Sequence, residues 1–212
     1  MSKIDPGMNM IKNITIAAFL ISFGLGRLAA AEAKPAYKWI AGTEYYLLLP
    51  MAQDLRLPAA GVTESVKPWG LGIRAVGNGP FGRTAALQLQ SVKVDSPTTG
   101  NNTFYLLDLL LGVEYMTPKV QGKPLRFTAA AFADLGLSGS TLYAAPVLTA
   151  GFLYTTNNTA LTPTGLTFNL FYRLTDLDLD DAGNGKAATL KPALGLKVGY
   201  AFQGFWTSKE KE

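Results

Sequence analysis

Hydrophobic and polar residues alternate along most of this chain. The alternation is cleanest over 103–115, Thr-Phe-Tyr-Leu-Leu-Asp-Leu-Leu-Leu-Gly-Val-Glu-Tyr. One set of alternate positions is Tyr105, Leu107, Leu109, Leu111, Val113 and Tyr115; the other is Phe104, Leu106, Asp108, Leu110, Gly112 and Glu114. A period of two predicts a β-strand with two unlike faces. The first face is wholly apolar with a tyrosine at each limit, and the second carries two carboxylates and a glycine. A strand that crosses a membrane in a closed barrel needs this division: apolar toward lipid, polar and small toward the lumen, aromatic where hydrocarbon meets water.

Eight segments of this kind are predicted, near 38–49, 66–77, 83–95, 103–116, 125–138, 141–155, 165–176 and 188–202. Between them stand turn formers such as Asn78-Gly-Pro80, the run 96–102, Gly122-Lys-Pro124, Ser138-Gly-Ser140, Asn157-Asn158 and Gly183-Asn-Gly185. Over 125–138 the apolar set Leu125, Phe127, Ala129, Ala131, Ala133, Leu135, Leu137 opposes Arg126, Thr128, Ala130, Phe132, Asp134, Gly136, Ser138. The seventh and eighth segments divide likewise, with Arg173 on the polar face of one and Lys191 and Lys197 on that of the other. In the third, Ala85, Leu87 and Leu89 oppose Ala86, Gln88 and Gln90, then the phase slips at Ser91-Val92, which predicts a bulge. Asn101 and Asn157, each in an Asn-X-Thr triplet, are expected in turns.

Period alone leaves the sense open, because a soluble ligand-binding barrel alternates with its faces exchanged. Two features favour the membrane. The polar face is rich in Gly and Ala, which suit a crowded interior better than a wetted surface. Its charges nearly balance: Glu44, Asp108, Glu114 and Asp134 against Arg74, Arg126, Arg173, Lys191 and Lys197, a predicted lumen network in which opposite charges can pair. Tyr46, Phe132, Tyr143 and Phe171 fall on the same face and either fill space or line a ligand pocket. Pro68, Pro146 and Pro192 lie early in the second, sixth and eighth segments, at one rim if the N-terminus enters from the periplasm; a lost ladder bond costs least there.

The N-terminus suits the same destination. A lysine at 12, an apolar run from Ile14 to Leu25 and Ala31-Glu32-Ala33 have the form of a secretory signal cleaved after residue 33. The run is shorter than the ~20 apolar residues of a membrane helix. This divides the chain into a signal at 1–33, a barrel at 34–204 and a short polar tail at 205–212.

Composition bounds the chemistry. There is no Cys, so no disulfide framework, and no His, which removes Ser-His-Asp triads and His-ligated metal sites. Asp108 and Glu114 share a face but stand about 20 Å apart along a strand, too far for a joint acid–base site. The acidic run at 176–187 has carboxylates at the first, third and fifth positions of a calcium loop, but Asp181 and Ala187 stand where such a loop has Gly and Glu. No enzyme activity, cofactor or metal is therefore expected. The formal charge of +4 is modest and forms no basic stripe with interleaved aromatics, so no nucleic-acid partner is expected.

On these residues the chain resembles the small outer-membrane β-barrels of Gram-negative bacteria: the transmembrane domain of outer membrane protein A, the OmpX-type and OmpW-type barrels and the opacity-type surface antigens. The terminal run Leu196-Lys-Val-Gly-Tyr-Ala-Phe202 is similar to their aromatic-ended assembly signal, although ten further residues follow it. The resemblance implies an all-β, closed, antiparallel up-and-down barrel of eight strands in the outer membrane. Its partners would be outer-membrane lipid, lipopolysaccharide and the barrel-assembly machinery; oligomeric state is left open. The implied role is a structural or surface-interaction barrel with a plugged interior. A narrow channel for small hydrophobic molecules is the second reading, as the OmpW-type resemblance allows, and a soluble periplasmic ligand-binding barrel the third.

Overall fold

The computed structural model describes residues 37–58, 60–77, 80–96, 100–120, 123–157, 164–180 and 187–209. The expected signal at 1–33 lies outside them. Every regular element among the described residues is a strand: β1 (Tyr37–Pro50), β2 (Gln53–Leu57), β3 (Val62–Val66), β4 (Trp69–Gly77), β5 (Phe81–Ser96), β6 (Gly100–Met116), β7 (Leu125–Ser138), β8 (Thr141–Asn157), β9 (Thr164–Arg173), β10 (Leu177–Asp180), β11 (Ala187–Leu190) and β12 (Leu194–Lys209).

Eight of them close into an antiparallel barrel in the order β1-β12-β9-β8-β7-β6-β5-β4, with β1 against both β12 and β4. Closure leaves no unpaired edge, which is the condition for strands to cross hydrocarbon. The two faces are divided as the alternation predicts. Leu109 is 42% exposed and Leu110 2%. Tyr105, Tyr115, Phe127, Tyr154 and Tyr172 all point outward, while Asp108 and Asp134 are fully buried within. An outer wall of Leu, Tyr and Phe around a charged interior is the arrangement of a membrane barrel and the reverse of a soluble one, so the soluble ligand-binding reading is set aside.

The remaining four strands form a second sheet, β10-β11-β2-β3, which the sequence reading did not anticipate. It is built from the two long connections, β1 to β4 and β9 to β12. Both leave the rim opposite the chain termini, and the short β5–β6 and β7–β8 turns lie at that same rim. The breaks between β3 and β4 and between β11 and β12 therefore fall within the second and eighth predicted segments, and that between β9 and β10 at the end of the seventh. Two of these breaks fall at Pro68 and Pro192, neither of which can donate to a ladder, so the chain turns a corner there from one sheet to the other. Pro146 instead sits inside β8, at the level where β9 ends, and its carbonyl accepts the Leu174 N–H at 3.0 Å.

No bulge interrupts β5. Its register with β6 is continuous from Phe81↔Tyr115 to Ser96↔Gly100. Val92 and Val94 break the polar pattern because they point inward beneath the second sheet. They pack with Phe104, Leu106, Tyr143 and Ala145 of the barrel against Leu55, Val66, Leu177, Leu179, Ala188 and Leu190 of the sheet. The second sheet is thus a cap with its own apolar core, seated in the mouth of the barrel. Other boundaries move as well. Asn101 and Asn157 lie in strands rather than turns. The expected polar tail from 205 is mostly strand, since β12 pairs with β1 as far as Lys209↔Tyr37.

Candidate functional site: the barrel interior

Inward-facing side chains fill the barrel in layers. Below the apolar layer of the cap, Asp108 on β6 gathers three donors from β5 and β8: Gln88 Nε2 at 2.7 Å, Gln90 Nε2 at 2.5 Å and the Tyr143 hydroxyl. The register produces this convergence, because Gln88 and Gly136 are the partners of Asp108 on either side, and Tyr143 is the partner of Gly136. Gln88 also accepts the Tyr46 hydroxyl at 3.1 Å, which carries the network across the lumen to β1. A carboxylate with no exposure is costly unless donors replace its water, and at Asp108 they do.

The second polar layer centres on Arg74 of β4. Its Nε meets Glu44 Oε2 at 2.5 Å, and its Nη1 meets Glu114 Oε1 at 2.6 Å; all three side chains are at most 5% exposed. Thr167 completes the set by donating to Glu44 Oε1 at 2.5 Å. Arginine suits this place because one planar fork can serve two carboxylates at once. Lys197 lies 4.0 Å from the centroid of the Tyr46 ring and 5.7 Å from that of Phe132, a cation held against two aromatic faces. Nearby, Thr128 donates to Asn169 Oδ1 at 2.7 Å.

All four predicted lumen aromatics are buried, and each lies over a glycine. A Cβ on Gly72 would meet the Tyr46 ring, on Gly136 the Tyr143 ring, on Gly112 the Phe132 ring and on Gly195 the Phe171 ring. Each ring thus lies over its register partner on the neighbouring strand, which carries no side chain. Tyr46, Phe132, Ala86, Leu110, Ala130 and Val147 form an apolar cluster at mid-depth, and Val76, Met116, Leu153 and Ala201 form another at the termini-side rim.

Of the nine charged positions predicted for the lumen, seven are inward and buried: Glu44, Arg74, Asp108, Glu114, Asp134, Arg173 and Lys197. Arg126 is partly buried at the termini-side end of β7, within 3.9 Å of the Met116 sulfur. Lys191 is a correction. It lies at the corner between β11 and β12, outside the lumen, and forms a 2.7 Å ion pair with Asp176 in which both side chains are about two-fifths exposed. The alternation could not be carried through that corner, and Leu190, the residue before Lys191, is buried under the cap. Without Lys191 the interior holds four acids and four bases. Asp134 and Arg173, and Arg126 at its Nε, are less completely partnered than the others. Both Asp134 oxygens, and Arg173 Nε and Nη1, are buried without a hydrogen-bond partner. The acidic run continues into 181–186, outside the described residues, and only Asp176, Asp178 and Asp180 are placed. Gln88, Gln90, Thr167 and Asn169 were not singled out from sequence, although all four stand on the predicted polar faces.

No protein-family model matches the sequence, and no curated protein matches it. Among solved structures, the fold is similar to that of the outer membrane protein OprG from Pseudomonas aeruginosa (11% identity, 81% of this chain and 100% of that one, TM-score 0.41). It is also similar to Neisserial surface protein A (10%, 81% and 100%, TM-score 0.44) and to Ail, the attachment invasion locus protein of Yersinia pestis (13%, 76% and 99%, TM-score 0.41). The physical case rests on the molecule itself. A closed antiparallel barrel with an even number of strands, an apolar outer band, aromatics toward both rims and a charged interior is an outer-membrane β-barrel of the small eight-stranded kind.

Proposed function

We propose that this protein is a non-enzymatic outer-membrane barrel with a plugged interior, serving as a structural or surface-interaction element. The observation that carries this reading is the layering: a capped apolar mouth, two hydrogen-bonded charge clusters, rings seated over glycines, and an apolar cluster at the far rim. Water-filled channels belong to barrels of many more strands, whereas an eight-stranded interior is wide enough only for side chains or one small ligand. In this reading the cap faces the outside, since the longer connections of such barrels are extracellular and the termini periplasmic. The partly exposed Asp176–Lys191 pair, with Asp54, Arg56, Thr63 and Asp178, then forms the outward polar surface that meets lipopolysaccharide and any partner. β12, the last strand, is the element offered to the assembly machinery.

Planar-bilayer recording on the purified barrel tests the plug. Little or no steady conductance is expected; a large, stable conductance would overturn the reading and put a narrow channel in its place. One observation gives the channel a specific form. The cap is tied to the barrel by its connecting corners and by the apolar contacts in the mouth, and its removal would uncover an apolar chamber floored by the Asp108 cluster. A barrel in which 51–68 and 174–193 are each replaced by a short turn should therefore admit small amphipathic dyes that the native protein excludes.

A further inference from the structure

The outer wall is not uniformly bulky. Across β7 and β8 the outward positions are small, with Ala129 and Ala131 on one strand and Ala150 on the next, while Tyr115 stands on one side and Leu170 and Tyr172 on the other. The result is an open apolar groove of about 490 Å³ running from Phe81 on β5 to Leu194 on β12. Its course follows the register Phe81↔Tyr115↔Ala129↔Ala150↔Leu170, perpendicular to the strands. With strands about 4.8 Å apart, the groove is about 24 Å long. Strand tilts of about 35–45° incline it, so it descends about 15 Å along the membrane normal. That is half of a hydrocarbon core about 30 Å thick, or the depth of one leaflet.

The shallow end of the groove, at Phe81 and Tyr115, lies at the termini-side rim, and that end is cationic. Arg83 points outward two residues along β5 from Phe81, in the row of Val113 and Ala131. Lys119 and Lys123, in the β6–β7 connection at the same rim, are exposed. Among the described residues no acidic side chain is exposed there. Arg83 stands two residues deeper than the Phe81–Tyr115 row, and a long side chain there extends back toward headgroup level, where a cation favours anionic lipid.

We propose that this groove binds one molecule of an anionic phospholipid, with an acyl chain along Ala129, Ala131 and Ala150 and its phosphate at Arg83. An annular lipid would pack on any part of the wall; this one has a trough the depth of a single leaflet and a cation beside its shallow end. The inference does not depend on whether the lumen is plugged.

Native mass spectrometry of the detergent-solubilised barrel tests it, with phosphatidylglycerol and phosphatidylcholine as probes. One phosphatidylglycerol should be retained per barrel, at least fivefold over phosphatidylcholine. Ala131→Trp and the milder Ala131→Leu fill the trough and should abolish or sharply reduce retention of both lipids. Leu71→Trp, on the wall away from the groove, should change nothing. Arg83→Gln should keep the bound chain but lose the headgroup preference. Unboiled gel mobility confirms that each variant is folded. Retention unchanged by both Ala131 substitutions, or a headgroup preference unchanged in Arg83→Gln, would overturn the proposal.

Discussion

Arg74→Met is the sharpest test of the interior. In the native barrel the guanidinium meets Glu44 at 2.5 Å and Glu114 at 2.6 Å, and no member of the triad is more than 5% exposed. Methionine roughly keeps the length of the side chain but removes the charge and both hydrogen bonds. Two buried carboxylates then face each other with only part of their compensation left, namely the Thr167 hydroxyl on Glu44 and Lys197 held over the Tyr46 ring. Breaking a buried ion pair by removing one partner costs ~3–5 kcal/mol, because an uncompensated charge remains. That is roughly two to three and a half decades in the ratio of folded to unfolded barrel, at about 1.4 kcal/mol per decade. The same reasoning predicts rescue. With Glu44→Gln and Glu114→Gln added, no charge is stranded, Thr167 keeps an acceptor, and stability should return to within about 2 kcal/mol of the native protein. The assay is urea unfolding of the barrel in phospholipid vesicles, followed by tryptophan fluorescence and by heat-modifiable gel mobility. A cost below about 1 kcal/mol for Arg74→Met would mean that water reaches the triad, and the argument for a dry interior would fail. A triple variant less stable than the single one would refute the charge logic itself.

Leu109→Arg should cost ~2–4 kcal/mol in the same titration, as a cation placed at mid-membrane on the lipid face, whereas Leu110→Arg enters a filled lumen and should be limited by volume; identical behaviour would reverse the face assignment. Gly136→Val should push the Tyr143 ring off Asp108 and cost about 1–3 kcal/mol by overpacking, and the pair Gly136→Val/Tyr143→Ala should cost less than the two effects added together, as a double-mutant cycle will report. Leu55→Ala, at the centre of the cap core, should cost about 2–5 kcal/mol of cap packing and speed hydrogen exchange in β2, β3, β10 and β11 while leaving the barrel strands protected; exchange that rises equally in β6 and β7 would show the cap and barrel to be one cooperative unit.

The barrel was legible because lipid simplifies its outer wall. When one face of every strand must be apolar, the other can be read by subtraction, and Tyr105 to Tyr115 gives both the span and the sense. Most of the lumen charges follow, since a charge at mid-strand is costly on the lipid face; Arg83, which points outward near a rim, lies outside that rule. Their partners do not follow. Gln88 and Gln90 become ligands of Asp108 only when β5 and β6 pair in one particular register, and alternation within a strand carries no information about register between strands. The glycines were legible as small residues but not as seats for rings, for the same reason: Gly136 accepts Tyr143 only because those two residues are register partners.

The cap was hidden by a stronger effect, an inversion of the rule itself. Where the wall leaves the membrane, the inward positions stop being polar and become Val92, Val94, Phe104 and Leu106, because there they bury against a second sheet rather than facing a charged lumen. Read strand by strand, this looks like a slip of phase. Compared across strands, all four lie at the end of the barrel from which the two long connections leave. Those connections carry their own alternation: Leu55 with Leu57, Leu177 with Leu179, and then Leu190. An apolar patch on the polar face of a barrel strand and an alternating loop at the same rim are two halves of one interface, and each explains why the other is apolar. The same physics connects the cap to the charges below it. Ion pairs and hydrogen bonds are stronger where water is excluded, and an unpaired charge there is more costly. A cap that keeps the mouth dry thus raises the value of the Asp108 and Arg74 clusters beneath it, and raises the penalty for opening. On this argument the cap is as much a part of the interior as the residues inside the barrel wall.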